Sequence, residues 1–338
     1  MEFGFSMRGQ YPVGTDMQQS FAKACELART ADRLGYSYLS KGQHYSSTPL
    51  QALQQVPFLS RIMAEAPNIK LVTGVVLLPL HKPLDIAEQL ATLDVMSGGR
   101  LVFGSGIGYR DVEFKAFGTV SKDRGRRFEE NLTAIRRLWT EPSVTMKGTH
   151  FELDEASCSV MPVQKPTPPF WVGANVDAGV RRAARMADAW MINPHQHVDT
   201  IERQLGVYRE ALAAHGKPEP AALPMMRECF VAETDEKAFR LARPYLEAKY
   251  KSYHEWGQDK SMAKGDDNLD LPFEELAEGR FLLGSPERVA EQILGYRERL
   301  GVSVIIPSFQ SVGTPHEQVL DALHLFAESV MPKVRAAI

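Results

Sequence analysis

Cysteine is scarce. The 338 residues hold three, Cys25, Cys158 and Cys229, far apart and in no C-x-x-C pair. That excludes a disulfide framework and a structural zinc site, and it fits a reducing cytoplasm. Charge of one sign is lacking too: 39 Lys and Arg against 42 Asp and Glu leave a formal net charge of −3. No basic stripe appears, so nucleic acid is not an expected partner. The longest apolar run, LVTGVVLLPL, has about half of the roughly 20 residues a membrane-crossing helix needs, so no membrane partner is expected. The first residues, MEFGFSMRG, lack the basic and then apolar stretches of a signal peptide. With no low-complexity tract and no Gly/Ser-rich linker, a single domain over residues 1–338 is the expectation.

What is present is a rhythm. Short, almost wholly apolar segments alternate with segments whose apolar residues recur every three or four positions. EFGFS (2–6), YSYLS (36–40), IKLVTGVVLL (69–78), RLVFGSG (100–106), PPFWVGA (168–174), AWMIN (189–193), PMMRECFVA (224–232) and VSVIIPS (302–308) read as strands. Helices are expected at 17–34, 50–66 (with Pro57 kinking it or delaying its start), 83–96, 121–140, 177–187, 198–214, 235–254, 286–300 and 315–331. Strands without polar alternation are covered on both faces, as parallel sheets are. Eight β-then-α units at this length predict a closed (β/α)8 TIM barrel of the α/β class. Two stretches interrupt it: 143–167, which reads as a hairpin excursion, and the polar 255–283, which reads as a lid over the site.

The segment LVFGSGIGYR (101–110) places Gly104, Gly106 and Gly108 at alternate positions. A dinucleotide fingerprint needs G-x-G-x-x-G opening straight into a helix. Here the spacing is G-x-G-x-G, and YRDVEFKAFG reads as a loop. Glycines at the C-terminal end of a barrel strand instead suit a close backbone approach to a ligand, or a tight barrel corner. Gly74, interrupting the β-branched run of strand three, suggests a bulge at the same end of the barrel.

TGVVLLPLHKPLDIAEQLATLDVMSGGRLVFGSGIGYRDVEFKAFG (73–118), RGRRFEENLTAIRRLW (124–139), PFWVGANVDAGVRRAARMADAWM (169–191) and LLGSPERVAEQI (282–293) together resemble the bacterial luciferase-like monooxygenase superfamily. The resemblance implies a TIM barrel that takes reduced FMN from a separate flavin reductase and uses O2 to oxygenate a small organic substrate. F420-dependent hydride transfer on the same barrel, or a flavin-binding protein without activity, are the alternatives. It implies a bulge at Thr73, Gly74 and Val75, often with a non-prolyl cis peptide, behind the flavin ring. Gly106, Gly108 and Tyr109 would border the ring, and the backbone of Gly173, Ala174, Asn175 and Val176 would meet the phosphate. The family often carries Glu-His-His after strand two. This chain has Gln43-His44-Tyr45, which leaves His44 as the expected catalytic acid–base, or as a histidine that only bonds within its loop. A homodimer is implied as well.

Other residues carry further expectations. Phe5, Met7, Val75, Met191, Met225 and Phe309 are candidates to line an apolar pocket. Arg181 and Arg182 read as solvated helix arginines, with assistance to the phosphate as the alternative, and the cluster Arg124, Arg126 and Arg127 reads as an exposed helix start with ion pairs of little worth, or as part of the dimer contact the resemblance implies. Arg110 is the basic residue of the two candidate ligand loops, which favours FMN over the long anionic tail of F420. His81 reads as a structural cap. His195-x-His197 has no acidic or cysteine partner nearby, so no metal is expected.

Overall fold

Runs such as LVFGSG carry no charge, and every one of their residues is buried. In the computed structural model, which describes residues 1–338, eight parallel strands close on one another. They are β1 (Glu2–Met7), β2 (Tyr38–Lys41), β3 (Lys70–Thr73, resuming at Val76–Leu77), β4 (Leu101–Gly106), β5 (Phe170–Ala174), β6 (Ala189–Ile192), β7 (Pro224–Val231) and β8 (Val304–Ser308). Each pairs with its neighbour in chain order, and β8 pairs with β1. The barrel therefore has no open edge. The helices are α1 (Met17–Arg33), α2 (Gln55–Ile62), α3 (Pro83–Met96), α4 (Asp111–Ala116), α5 (Arg124–Leu138), α6 (Asp177–Met186), α7 (Val198–Ala214), α8 (Asp235–Glu255), α9 (Phe273–Ala277), α10 (Pro286–Leu300) and α11 (His316–Leu325).

Side-chain alternation divides the core in two. Tyr38, Val72, Val102, Trp171, Met191 and Met226 fill the barrel interior, while Phe5, Leu39, Phe103, Phe170 and Met225 pack outward against the helices. The seam between β4 and β5, separated in sequence by α4, α5 and a hairpin, is closed by Phe103, Trp139 and Phe170, with ring centroids 5.2–5.8 Å apart. Such pairs add about 0.5–1.5 kcal/mol each beyond their buried area. The Trp139 indole N–H donates to the Ala87 carbonyl at 3.2 Å, tying α5 to α3 behind the seam.

β3 carries the bulge. From Val72 to Val76 the chain takes four steps while β4 takes three, from Val102 to Ser105. The extra residue lies at Gly74–Val75, whose peptide bond is cis. β4 accommodates it by giving up side chains. A Cβ on Gly104 would stand 1.9 Å from the Thr73 carbonyl oxygen, and one on Gly106 would stand 2.8 Å from Val75.

Two segments differ from the sequence reading, and the 143–167 excursion follows it. The expected helix 50–66 begins at Gln55, because Pro57 fits only a first turn; Leu50–Ala52 instead pairs antiparallel with Gln10–Pro12. YRDVEFKAFG is not a loop: Asp111–Ala116 forms the short α4. The 143–167 excursion is a hairpin, Val144–Lys147 with Glu152–Ala156. It rests on α5 through a 3.0 Å bond between His150 and Asn131. The polar segment 255–283 is folded, with Leu269, Phe273, Leu276 and Phe281 packed on Tyr250 and Tyr253 of α8. Arg280 binds it to the β6 end, donating to Asp266 at 2.9 Å and to the His195 carbonyl at 3.2 Å.

Two glycine substitutions separate close packing from backbone freedom. Gly104→Ala is expected to lower unfolding stability by about 3 kcal/mol or more, because the obstructing atom is backbone. Gly206→Ala, on an exposed turn of α7 with nothing within 4 Å of its Cβ, is expected to raise it by about 0.5–1 kcal/mol. Urea unfolding midpoints of the two variants measure both.

Candidate active site

The C-terminal ends of the barrel strands surround a cavity of about 290 Å³, at the face where barrel enzymes carry their sites. Its flat wall is built from missing side chains. Val75, turned by the bulge, occupies space left free by Gly106 and Gly173, whose Cβ positions would lie 2.8 and 3.3 Å from its methyl groups. Gly108 adopts a φ of +71° beside Phe114, a conformation that glycine takes without strain. A planar ring can lie against this backbone.

At one end of the cavity α6 begins. Its preceding residue, Val176, has no side-chain oxygen, so the first-turn N–H groups are uncapped. They face the cavity beside Asn175, Gly179, Arg124 and Arg182, and such a terminus favours an anion. Asp177 in that turn does not oppose it: Arg203 grips the carboxylate at 2.8 and 2.9 Å and holds its pKa down to about 2. Arg124 and Arg182 are thus not the solvated arginines expected. Arg182 turns inward because Glu129 on α5 receives its Nε at 2.9 Å, an ion pair between helices that sequence spacing does not display. Ring wall, uncapped helix and arginines fit a flavin mononucleotide.

Across the cavity stands His44, just beyond β2. Its Nδ1 lies 3.2 Å from Glu113 Oε1 on α4, and the carboxylate also accepts from the Tyr45 N–H at 2.9 Å and from Arg110 at 3.4 Å. Glu113 is 1% exposed. A carboxylate on Nδ1 fixes the tautomer with its proton there and leaves Nε2 to work. Gln43, where the family often has an acid, accepts from the Leu77 N–H at 2.8 Å and donates to the Tyr45 hydroxyl at 3.0 Å. It supports the loop instead of carrying charge.

Of the residues the sequence pointed to, Gly74, Val75, Gly106, Gly108, Tyr109, Gly173, Ala174, Asn175, Val176 and His44 all line this cavity. Thr73 does not. Strand alternation puts its hydroxyl behind the wall, donating to the Gly104 carbonyl at 2.9 Å and accepting from the Gly104 N–H at 2.8 Å. Phe5, Met7, Met225 and Phe309 face the helices; of the apolar candidates, Val75 and Met191 reach the cavity. Arg110 is buried against Tyr45, Ser46 and the Trp256 ring. His81 lies behind Gln43 at 3.3 Å, and burial lowers its pKa to about 4, keeping it neutral. His195 lines the cavity, with Nδ1 3.0 Å from the Tyr250 hydroxyl, while His197 caps α7.

Sequence reasoning missed Glu113, Arg8, Lys41, Tyr253 and Lys260. Glu113 is 69 positions from its histidine, and no local pattern joins the two. Arg8 carried a usable signal, since it follows an apolar strand in the same inward phase as Ser6; Lys41 did not, being in register with the outward-facing Met7. Gln258, Lys260 and Ser261 bring the polar segment 255–283 to the cavity.

Residues 1–303 match the family model described as luciferase-like monooxygenase. The chain is 26% identical to the FMNH2-dependent dimethylsulfone monooxygenase of Pseudomonas putida, over 92% of this chain and 87% of that protein. It is 25% identical to the F420-dependent glucose-6-phosphate dehydrogenase of Nakamurella multipartita, over 94% of each. Among solved structures it superposes on monooxygenase RslO1 from Streptomyces bottropensis with a TM-score of 0.83 at 28% identity, covering 98% of this chain and 99% of that one.

The Lys41 ammonium donates to the Arg8 carbonyl at 3.1 Å and lies 5.4 Å from the Phe58 ring of α2, and burial, and then Arg8, lower its pKa to about 8. Above that pH the unfolded chain holds a proton the folded chain has released, so folding gains stability as pH rises towards the unfolded value. Relative to Lys41→Met, the wild-type protein is expected to gain about 2 kcal/mol between pH 7.5 and 9.5. Paired urea titrations at the two pH values measure the difference.

Proposed function

The chain belongs to the luciferase-like monooxygenase family, and from that premise we propose a flavin-dependent monooxygenase that uses reduced FMN and O2 to oxygenate a small organic substrate. One observation carries the choice of cofactor: the cavity joins a flat glycine-and-valine wall to a single uncapped helix N-terminus with Arg124 and Arg182. One helix terminus and two arginines match the short monophosphate of FMN, and Glu129 already engages Arg182 and Arg185, at 2.9 and 2.8 Å, which leaves less for the long anionic tail of F420. The opposing observation is the set of cations elsewhere on the lining, which keeps F420 as the second reading.

When bound, reduced FMN supplies the electrons and the place where O2 is activated. The chain's own residues do the rest. Val75 and the backbone of Gly106 and Gly173 back the ring. The α6 terminus, with Asn175 and Val176, holds the phosphate. Val172, Met191 and Met226 keep the ring's surroundings dry, which protects reactive species from water. His44, held at Nδ1 by Glu113, delivers or removes a proton at Nε2 as oxygen is transferred. Glu113 positions the imidazole and does not touch substrate. The folded segment 255–283 closes the mouth, and a separate NAD(P)H-dependent reductase provides the reduced flavin.

Anaerobic titration with reduced FMN and, in parallel, reduced F420 tests the cofactor. The expected result is tight binding of FMN alone; tight binding of F420 without reaction on admitting O2 would replace the monooxygenase with a hydride-transfer enzyme. His44→Ala is expected to leave FMN affinity within about twofold and to lower oxygen transfer from labelled dioxygen about 100-fold or more. Glu113→Gln is expected to shift the pH profile of transfer and leave FMN affinity intact.

A further inference from the structure

No Asp or Glu lines the cavity, whereas Arg8, Lys41, Arg124, Arg182 and Lys260 all do. These cations fall into two groups. Arg124 and Arg182 belong to the phosphate end. Arg8 stands near His195 and Tyr253, with the Lys41 ammonium donating to its carbonyl at 3.1 Å, and the phosphate accounts neither for these nor for Lys260.

Arg8 is the centre of this second group. Its Nε donates to the Ser308 hydroxyl at 3.2 Å, and its Nη2 donates to Glu228. Its Nη1 makes no hydrogen bond within the chain, and its side chain keeps 17% of its exposure, on the cavity side. Glu228 does not neutralise the region. Wholly buried, it gives the same oxygen to Lys249 and leaves its other oxygen without a partner. Arg227, next to it on β7, is also wholly buried, with Nε and Nη2 unpartnered. Against burial, three cations, Arg8, Lys249 and Arg227, lie close enough to hold the Glu228 carboxyl down, and Arg8 and Lys249 share its one bonded oxygen.

Uncompensated buried charge is costly, and an incoming opposite charge relieves it. His195 fits the same sign. Burial, and then Lys249, Arg8, Arg227 and Arg280, keep its imidazole neutral. Its Nδ1 is taken by Tyr250, which leaves Nε2 for the cavity. Between this end and the ring wall the lining is apolar, with Val172, Met191 and Met226.

We infer that the substrate is a small organic acid whose carboxylate is held by Arg8 at the end of the cavity opposite the cofactor phosphate, with Lys260 of the covering segment beside it. The inference rests on the flavin reading above, which gives the other end of the cavity to FMN. An apolar body then lies along the wall near His44, and the acid head fixes which carbon meets the ring.

Binding of plain probes tests this without turnover. Benzoate, phenylacetate and hexanoate are titrated calorimetrically into the protein with and without FMN, against benzamide, phenylacetamide and hexanamide. At least one acid is expected to bind at least tenfold more tightly than its amide. Arg8→Gln is expected to weaken that acid at least tenfold and to leave the FMN dissociation constant within twofold. Arg124→Ala is expected to do the reverse. Lys260→Ala, on an exposed position that does not endanger folding, is expected to weaken the acid about threefold. Arg8→Lys, which keeps the charge beside Glu228, serves if the glutamine variant does not fold, with the same expectation at a smaller loss.

Acids and amides binding alike, or no acid binding at all, would overturn the inference. An Arg8 variant that loses FMN as strongly as acid would also overturn it, and would assign Arg8 to the cofactor. Acid binding through Arg8 in a protein that binds neither FMN nor F420 would overturn the flavin reading and leave the acid site standing.

Discussion

Strand three and strand four approach each other too closely for a side chain at Gly104, and the functional end of the barrel follows from that approach. The extra residue in β3 takes Gly74 and Val75 out of the ladder with β4. Thr73 then locks the displaced strand to β4 by bonding both backbone groups of Gly104. Val75 is left projecting into space that Gly106 and Gly173 vacate. The result is a wall of backbone and one branched side chain, rigid because both flanking strands are fully paired. A flat ligand face of this kind is hard to build from side chains, which keep rotamer freedom. A bulge between glycines has none to lose.

The proton-handling side is built differently. His44 hangs from a loop, and its orientation comes from a carboxylate on another unit of the fold. Glu113 gathers the His44 ring, the Tyr45 N–H and the Arg110 guanidinium onto one oxygen. Burial makes those bonds count, since a carboxylate removed from water must be matched by donors. One short helix, α4, therefore sets the direction in which His44 presents its free nitrogen.

The barrel was legible in the sequence because its evidence is periodic: apolar strands, three-and-four spacing in helices, and Gly35 and Gly301 at positive φ after helices α1 and α10. The glycine wall was legible because glycine inside a strand needs a reason. The polar machinery was not. The bond from Glu113 to His44, the turn of Arg182 towards Glu129, and the meeting of Arg8 and Lys249 at Glu228 all join residues separated in the chain. Composition gives no register for such meetings; closure of the barrel does. Alternation also misled where it was not followed through. In EFGFSMR the large apolar residues Phe5 and Met7 face the helices, and it is Ser6 and Arg8 that reach the cavity.

The chain as a whole is acidic, at −3, while the cavity at the barrel mouth is lined by cations and by no acid. The two facts have a kinetic consequence. Low-dielectric walls focus the field of Lys260 and Arg124 out through the mouth, and the acidic remainder of the surface repels anions that approach elsewhere. Encounter is thereby funnelled to one opening, and such steering raises association rates by roughly 10-fold to 1,000-fold at low salt. The effect fades once the ionic atmosphere thins to about 8 Å, as at physiological ionic strength. Capture of a negatively charged ligand by this barrel is accordingly governed by ionic strength as well as by fit.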